Sequence, residues 1–150
     1  EGAPAPVCLS EIVESSVEAF LPLAQSQNKS ITASVPADLY VNGSQEACFR
    51  LVSILMDNAV KYCDDAGEIR IQLCPRGKTC VLTVSNPCQS VDPAQLPRFF
   101  DRFYRGDPAR AHTGSYGIGL STARAVALRQ KAKLSAHCAG GVVTFSVIFP

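Results

Sequence analysis

Three side chains share one side of a helix predicted around residues 54–63, which read ILMDNAVKYC. Asn58, Lys61 and Tyr62 stand at positions i, i+3 and i+4, a spacing that makes helical side chains neighbours. An amide oxygen suits Mg²⁺, an ammonium group pairs with phosphate, and an aromatic ring can cover a nucleobase. The structural alternative is that Asn58 bonds nearby backbone, Lys61 extends to solvent and Tyr62 packs in the core. The helix alone leaves both interpretations open.

Two further segments could contact phosphate. GSYGIGLS, residues 114–121, precedes a predicted helix, and its glycines let the backbone approach a ligand at the helix N-terminus. It lacks the Gly-Lys-Ser/Thr ending of a Walker loop and does not follow a strand as a dinucleotide-binding turn does. In FFDRFYRGD, residues 99–107, Arg102 and Arg105 either reach a phosphate or are solvated, and the phenylalanines anchor the loop that follows. A plain flexible turn and a solvated basic face are the competing interpretations.

Length and composition favour one domain with one core, since 47% of the 150 residues are apolar and 18% are charged. No apolar run approaches the roughly 20 residues needed to cross a bilayer, and the first residues lack the pattern of a signal peptide. Acidic residues concentrate in residues 1–65 and basic residues in residues 98–133. The basic cluster is either a solvated face or a surface for an anionic partner. We expect neither a nucleic-acid partner nor membrane contact by this segment.

Seven cysteines are present without a C-x-x-C pair and with only two histidines. This pattern argues against a structural zinc site. An odd count, with several cysteines at positions typical of a core, favours reduced thiols in a cytoplasmic setting.

The periodicity of the chain predicts elements that would position these residues. A helix capped by Ser10 runs to about Leu21, where Pro22 interrupts it, and a second helix follows a cap at Ser44. A short helix is capped by Asp92, and a last helix ends near Arg129. The predicted strands are residues 30–35, 38–41, 68–74, 79–85, 134–138 and 142–149. Helices separated by hairpins indicate an α+β fold, with a mixed, mostly antiparallel sheet and the helices on one face.

ILMDNAVKY resembles the N box, FFDRFYRGD the F box and GSYGIGLSTARAV the G2 box of the catalytic ATP-binding domain of bacterial sensor histidine kinases, and they follow in the order of that family. That domain belongs to a wider family shared with type II topoisomerases, Hsp90 and MutL. The resemblance extends from VCLSEIVESSVEAF to the closing TFSVIFP, so that residues 1–150 form a single domain. It implies a Bergerat-type two-layer α/β sandwich with about three helices on one face of the sheet. ATP and Mg²⁺ would bind between the N-box helix and a mobile lid at about 105–117.

The resemblance also implies roles for individual residues. Asn58 corresponds to the Mg²⁺-binding asparagine and Lys61 to the phosphate-facing lysine. Tyr62 corresponds to the ring beside the adenine, and Arg105 to the arginine that approaches the phosphates. Asn58, Lys61 and Arg105 are therefore the expected catalytic residues. The G2 positions, whose backbone meets the phosphates, correspond to Gly117, Gly119 and Leu120.

Two departures from the family pattern affect this interpretation. The G1 box, usually Asp-x-Gly-x-Gly, corresponds here to NPCQS, residues 86–90, with Asn86 in place of the aspartate. The asparagine carbonyl can accept from the adenine amino group without charge assistance, at a cost of about 1 kcal/mol. Cys88 and Ser90 replace the glycines, which restricts backbone approach and predicts weakened adenine recognition. Ile54 stands where relatives often carry an acid that activates water, which argues against efficient ATP hydrolysis.

The expected function is transfer of the ATP γ-phosphate to a histidine on a separate helical domain. Neither His112 nor His137 has the helical acidic context of a phosphoacceptor, so we expect the chain to be the cytoplasmic catalytic part of a longer, membrane-anchored sensor kinase. Its partners would be its own dimerisation and phosphoacceptor domain and a response regulator. One alternative is a degenerate nucleotide-binding module that docks a partner, which NPCQS favours. Another is a serine kinase of the anti-sigma-factor kind, against which the F-box phenylalanines and FYR argue.

Overall fold

The computed structural model describes residues 4–101 and 117–150. Its strands are β1 (Ala5–Cys8), β2 (Ser30–Ser34), β3 (Tyr40–Gly43), β4 (Glu68–Arg76), β5 (Thr79–Pro87), β6 (Lys133–Ala139) and β7 (Val142–Phe149). Its helices are α1 (Leu9–Ser26), α2 (Gln45–Tyr62), α3 (Gly117–Arg129) and a 3₁₀ helix at Pro93–Arg98. None of the helices described is long and apolar enough to cross a bilayer.

The main sheet has five strands in the order β2-β4-β5-β7-β6. β2 and β4 run parallel and the other three pairs run antiparallel, so the predicted mixed, mostly antiparallel sheet is confirmed. β1 and β3 form a separate antiparallel pair. The sequence did not predict β1, because four residues that include a proline carry too little periodicity to indicate a strand.

The core lies between one face of the five-stranded sheet and the helices. Alternate residues of the strands are buried, as the period of two requires. These include Ile69, Ile71 and Leu73 on β4 and Val143, Phe145, Val147 and Phe149 on β7. α2 contacts α1 on one side and α3 on the other. The predicted two-layer sandwich is confirmed, and α2 is its central helix.

The ends of the helices match the sequence prediction at α2 and at the 3₁₀ helix. The Ser44 hydroxyl accepts a hydrogen bond from the Ala47 N–H at 3.2 Å, and an Asp92 carboxylate oxygen accepts from the Ala94 N–H at 3.0 Å. Each side chain thus satisfies one N–H that has no partner within the helix. The cap at Ser44 fixes where α2 begins, and with it the orientation of the side chains further along that helix.

α1 differs from its prediction at both ends. It begins at Leu9, and the Ser10 hydroxyl does not cap it but donates to the Pro36 carbonyl at 2.6 Å and accepts from the Leu39 N–H. The helix also continues through Pro22 to Ser26. Pro22 is exposed, so water can solvate the carbonyl that the proline leaves unpaired, while burial of Ala24 holds the final turn.

Ser16 on α1 is fully buried, and its hydroxyl has no hydrogen-bond partner among the described residues. A buried hydroxyl without a partner costs free energy, so we expect Ser16→Ala to raise the free energy of unfolding by about 1 kcal/mol. Urea unfolding would report this as a higher midpoint with an unchanged m-value. Ser15→Ala, at the exposed neighbouring serine, is the control and should change stability little. A lower midpoint for Ser16→Ala would show that the hydroxyl is bonded in solution.

Candidate functional site

Asn58 lies on α2 as a half-buried side chain, with Ile54 one turn before it and Tyr62 one turn after it, both packed against the core. Within residues 4–101 and 117–150, no group hydrogen bonds to the Asn58 amide. The structural alternative, in which neighbouring backbone satisfies this amide, therefore finds no support in the described chain. The half-buried amide therefore keeps hydrogen-bonding capacity that a ligand can use.

Lys61 is engaged by an acid on its own helix. Its ammonium nitrogen lies 3.1 Å from a carboxylate oxygen of Asp57, and the two side chains are 28% and 39% exposed. An acid four residues before a lysine is the favourable orientation on a helix. A pair this exposed contributes at most about 1 kcal/mol. The pair with Asp57 by itself therefore holds the ammonium only weakly.

The C-terminal end of α2 meets the end of β5. Just after the helix, the Asp64 N–H donates to the Pro87 carbonyl at 2.9 Å. This contact brings Tyr62, which is half-buried, to the same end of the domain as Asn86, which is 2% exposed. The two residues that the resemblance places beside the adenine are therefore carried by elements that touch.

The Asn86 side chain is oriented by its neighbour. Its amide nitrogen donates to the Pro87 carbonyl at 3.1 Å. No described residue donates to its amide oxygen. The oxygen is therefore the end of the amide that can accept a hydrogen bond from an amino group.

The turn that follows Asn86 is held from two sides. The Cys88 N–H donates to the Gly141 carbonyl at 2.8 Å, and the Gln89 N–H donates to an Asp64 carboxylate oxygen at 3.0 Å. Cys88 is 1% exposed, so its side chain lies in the protein interior. Among the described residues with positive φ, neither Cys88 nor Ser90 occurs, so this turn does not need a glycine conformation. That the missing glycines restrict the approach of a nucleotide to this backbone stays a prediction. Because Cys88 is buried, the prediction concerns Ser90, which is exposed.

The G2 positions lie at the start of α3, against α2. Gly117 begins the helix, and a Cβ at Gly119 would lie 4.0 Å from Cγ2 of Ile54, one turn before Asn58. Leu120 is buried in the core, so only its backbone is available to a ligand. The first N–H groups of a helix lack intrahelical partners and favour anions. The structure thus places Gly119 next to Ile54, one turn before the predicted metal ligand.

The F-box prediction is confirmed in part. Phe99 and Phe100 pack against the core, and the Phe100 ring meets Phe145 edge-on with the centroids 5.9 Å apart. Phe103 and the predicted site residue Arg105 lie outside the described residues. Of the expected lid at 105–117, only Gly117 is described.

A Cβ at Gly119 would make only ordinary van der Waals contact, so Gly119→Ala should leave stability unchanged or slightly higher. We expect the same substitution to weaken AMPPNP binding about tenfold, because the methyl group keeps a phosphate from the first turn of α3. Thermal unfolding checks the predicted stability, and calorimetric titration of the same preparation checks the predicted loss of AMPPNP affinity. Ala125→Gly, on the exposed side of α3, is the control for helix propensity. Unchanged affinity would show that the phosphates do not approach this turn.

Sequence reasoning missed Lys29. This lysine is 8% exposed, and its ammonium donates to the Val60 carbonyl at 2.7 Å and to the Gln27 side-chain oxygen at 3.2 Å. A cation at the C-terminus of α2 satisfies a carbonyl that has no intrahelical partner and complements the helix dipole. It thereby fixes the helix end that carries Lys61 and Tyr62. The contact spans 31 residues of chain, so no local pattern could have indicated it.

Comparison with known proteins identifies the class. Residues 43–150 match the family model described as histidine kinase-, DNA gyrase B-, and HSP90-like ATPase, and the chain belongs to that family. The predicted family, the Bergerat-type fold and the expected class, the ATP-binding catalytic domain of sensor histidine kinases, are confirmed at the level of this domain.

One relative is the phosphate regulon sensor protein PhoR of Pseudomonas aeruginosa, 35% identical over 130 residues that cover 86% of this chain and 29% of that protein. The chain spans about a third of the length of the curated relatives that it matches. The nucleotide-free catalytic domain of histidine kinase ThkA superposes with a TM-score of 0.86 at 18% identity, covering 99% of this chain and 96% of that one. Full-length ShkA in complex with AMPPNP gives a TM-score of 0.81 at 17% identity, over 100% of this chain and 31% of that one.

Proposed function

We propose that this domain binds ATP with Mg²⁺ and transfers the γ-phosphate to a histidine on a helical domain of the same sensor kinase. The observation that carries the proposal is the half-buried Asn58 amide, which has no hydrogen-bond partner in the described chain and lies one turn after Ile54, the residue that Gly119 of α3 approaches. The family match and the AMPPNP bound to the ShkA neighbour support it.

Each described site residue then has a distinct task. The Asn58 oxygen would hold Mg²⁺, which when bound neutralises charge on the phosphate oxygens. Lys61 moves from Asp57 to a phosphate, and the backbone N–H groups of Gly117, Gly119 and Leu120 bind the phosphate oxygens. Tyr62 packs against the adenine, and the Asn86 oxygen accepts from its amino group. Arg105 approaches the phosphates in this proposal.

The proposed reaction requires little covalent chemistry from the residues of this domain. Phosphoryl transfer depends mainly on positioning and on stabilising charge on the transferred group, which these donors supply. The apolar Ile54 lies one turn before Asn58, where an acid would be needed to activate water. The proposed reaction is therefore transfer to an incoming imidazole rather than hydrolysis. The acceptor domain, a response regulator and a membrane anchor would belong to the whole protein.

Titration of the chain with AMPPNP, with and without Mg²⁺, tests the nucleotide half of the proposal. We expect saturable, Mg²⁺-dependent binding with a Kd below about 1 mM, equivalent to more than about 4 kcal/mol. Binding of the GTP analogue GMPPNP is the control for base recognition. If millimolar AMPPNP gives neither heat nor thermal stabilisation, the proposal is refuted and the alternative, a degenerate module that docks a partner, is favoured.

The kinase half is tested on the full-length protein. Incubation with ATP and Mg²⁺ should give phosphate on the protein that is stable in base and lost in acid, as expected for phosphohistidine. Acid-stable phosphate would instead indicate a serine kinase.

A further inference from the structure

Two buried thiols lie at the base end of the proposed site. Cys63 follows the last residue of α2 and Cys88 follows the last residue of β5, and their side chains are 5% and 1% exposed. Between them runs the hydrogen bond from the Asp64 N–H to the Pro87 carbonyl at 2.9 Å. Cys63 precedes the donor and Cys88 follows the acceptor, so the two cysteines flank one backbone contact.

The packing around Cys63 keeps its thiol at this junction. A Cβ at Gly67 would lie 2.6 Å from the Cys63 sulfur and 2.7 Å from Cγ of Pro87, the residue next to Cys88. The absence of a side chain at Gly67 therefore makes room for the sulfur beside the end of β5.

The charges nearby act on the Cys63 thiol in opposite directions. Burial is the largest influence and raises its pKa, while the Lys29 ammonium lowers the pKa. Cys88 and the carboxylates of Asp64 and Asp65 raise the pKa of Cys63 further. The net result is a thiol that is mostly protonated at neutral pH, so its oxidation should accelerate as pH rises.

We propose that Cys63 and Cys88 are a modification site, a dithiol that peroxide closes to an intramolecular disulfide that weakens nucleotide binding. Peroxide oxygen adds to one thiolate and hydroxide leaves, which gives a sulfenic acid. The second thiolate attacks that sulfur and expels the hydroxyl group as hydroxide, forming the S–S bond. Two thiols lose two electrons and two protons, and one peroxide becomes two waters.

The disulfide would affect nucleotide binding because the two cysteines lie next to the proposed adenine contacts. This half of the inference rests on the proposed function. A disulfide holds its sulfur atoms about 2.05 Å apart, closer than two unbonded thiols can approach. We expect its formation to pull the end of α2 and the end of β5 towards each other. Tyr62 and Asn86, the proposed adenine contacts, lie one and two residues from the bridged positions and would shift with them.

The first experiment oxidises the chain with hydrogen peroxide at pH 7 and pH 8.5, in a Cys74→Ser background that removes the exposed thiol. Peptide mapping should find a Cys63–Cys88 disulfide in monomeric protein, formed faster at the higher pH. Cys88→Ser should abolish this crosslink. Cys80→Ser, at another buried thiol whose pKa burial raises, should leave it unchanged. Absence of the crosslink, or one between other cysteines, would overturn the inference.

The second experiment titrates AMPPNP into reduced protein, oxidised protein and oxidised protein treated with dithiothreitol. We expect oxidation to weaken binding at least about fivefold and dithiothreitol to restore it. A disulfide that forms without changing affinity would refute the regulatory half. Failure of the reduced protein to bind would instead refute the proposed nucleotide function, while the mapping still decides whether the dithiol exists.

Discussion

Asn58→Ala is expected to weaken binding of Mg²⁺–AMPPNP about 100-fold, a loss of roughly 2.7 kcal/mol. Alanine removes the amide oxygen that would hold the ion, and the half-buried edge of α2 then offers no oxygen ligand at this position. Binding measured in EDTA should change much less, because the substitution removes a metal ligand rather than a base contact. Titration calorimetry with and without Mg²⁺ separates the two effects.

The stability of Asn58→Ala provides the control for this result. Because no described residue bonds to the Asn58 amide, its removal should change the free energy of unfolding by no more than about 0.5 kcal/mol. Asn42→Ala, at an exposed asparagine on β3, should change neither affinity nor stability. Wild-type affinity in Asn58→Ala would refute the proposed metal ligand and, with it, the reason for placing the phosphates at this helix.

Lys29→Met is expected to lower the free energy of unfolding by about 2 kcal/mol. Methionine is similar in length but cannot donate, so the buried Val60 carbonyl loses its charged partner and α2 loses a cation at its C-terminus. For a domain of this size, the loss corresponds to a fall in Tm of roughly 4–8 °C. Urea and thermal unfolding measure it directly.

A matched lysine distinguishes this role from a general effect of charge. Lys78→Met removes an exposed lysine from the turn between β4 and β5 and should change stability by less than about 0.5 kcal/mol. Lys29→Arg keeps the charge and should recover part of the loss. AMPPNP affinity should also fall in Lys29→Met, since the end of α2 carries Lys61 and Tyr62. Equal stability of Lys29→Met and wild type would show that water replaces the ammonium.

Local sequence patterns determined most of the architecture. Alternation along β4 and β7 predicted strands because one face of the sheet is buried. Ser44 predicted the start of α2 because a helix needs a side-chain acceptor at its first turn. The order of the three boxes identified the family. The strand and cap signals each lie within a few consecutive residues, and the boxes are short motifs in a fixed order along the chain, so all of them can be recognised without knowing the rest of the fold.

The tertiary structure decided what depends on distant contacts. The Ser10 hydroxyl bonds Pro36 instead of capping α1, Ala24 holds that helix beyond Pro22, and Lys29 reaches Val60 across 31 residues. The junction of α2 with β5 likewise depends on the pairing of Asp64 with Pro87. Hydrogen-bond partners and burial at such positions are set by packing between elements far apart in the chain. A periodic pattern shows which face of a helix or strand is buried, but only packing determines which residues that face contacts.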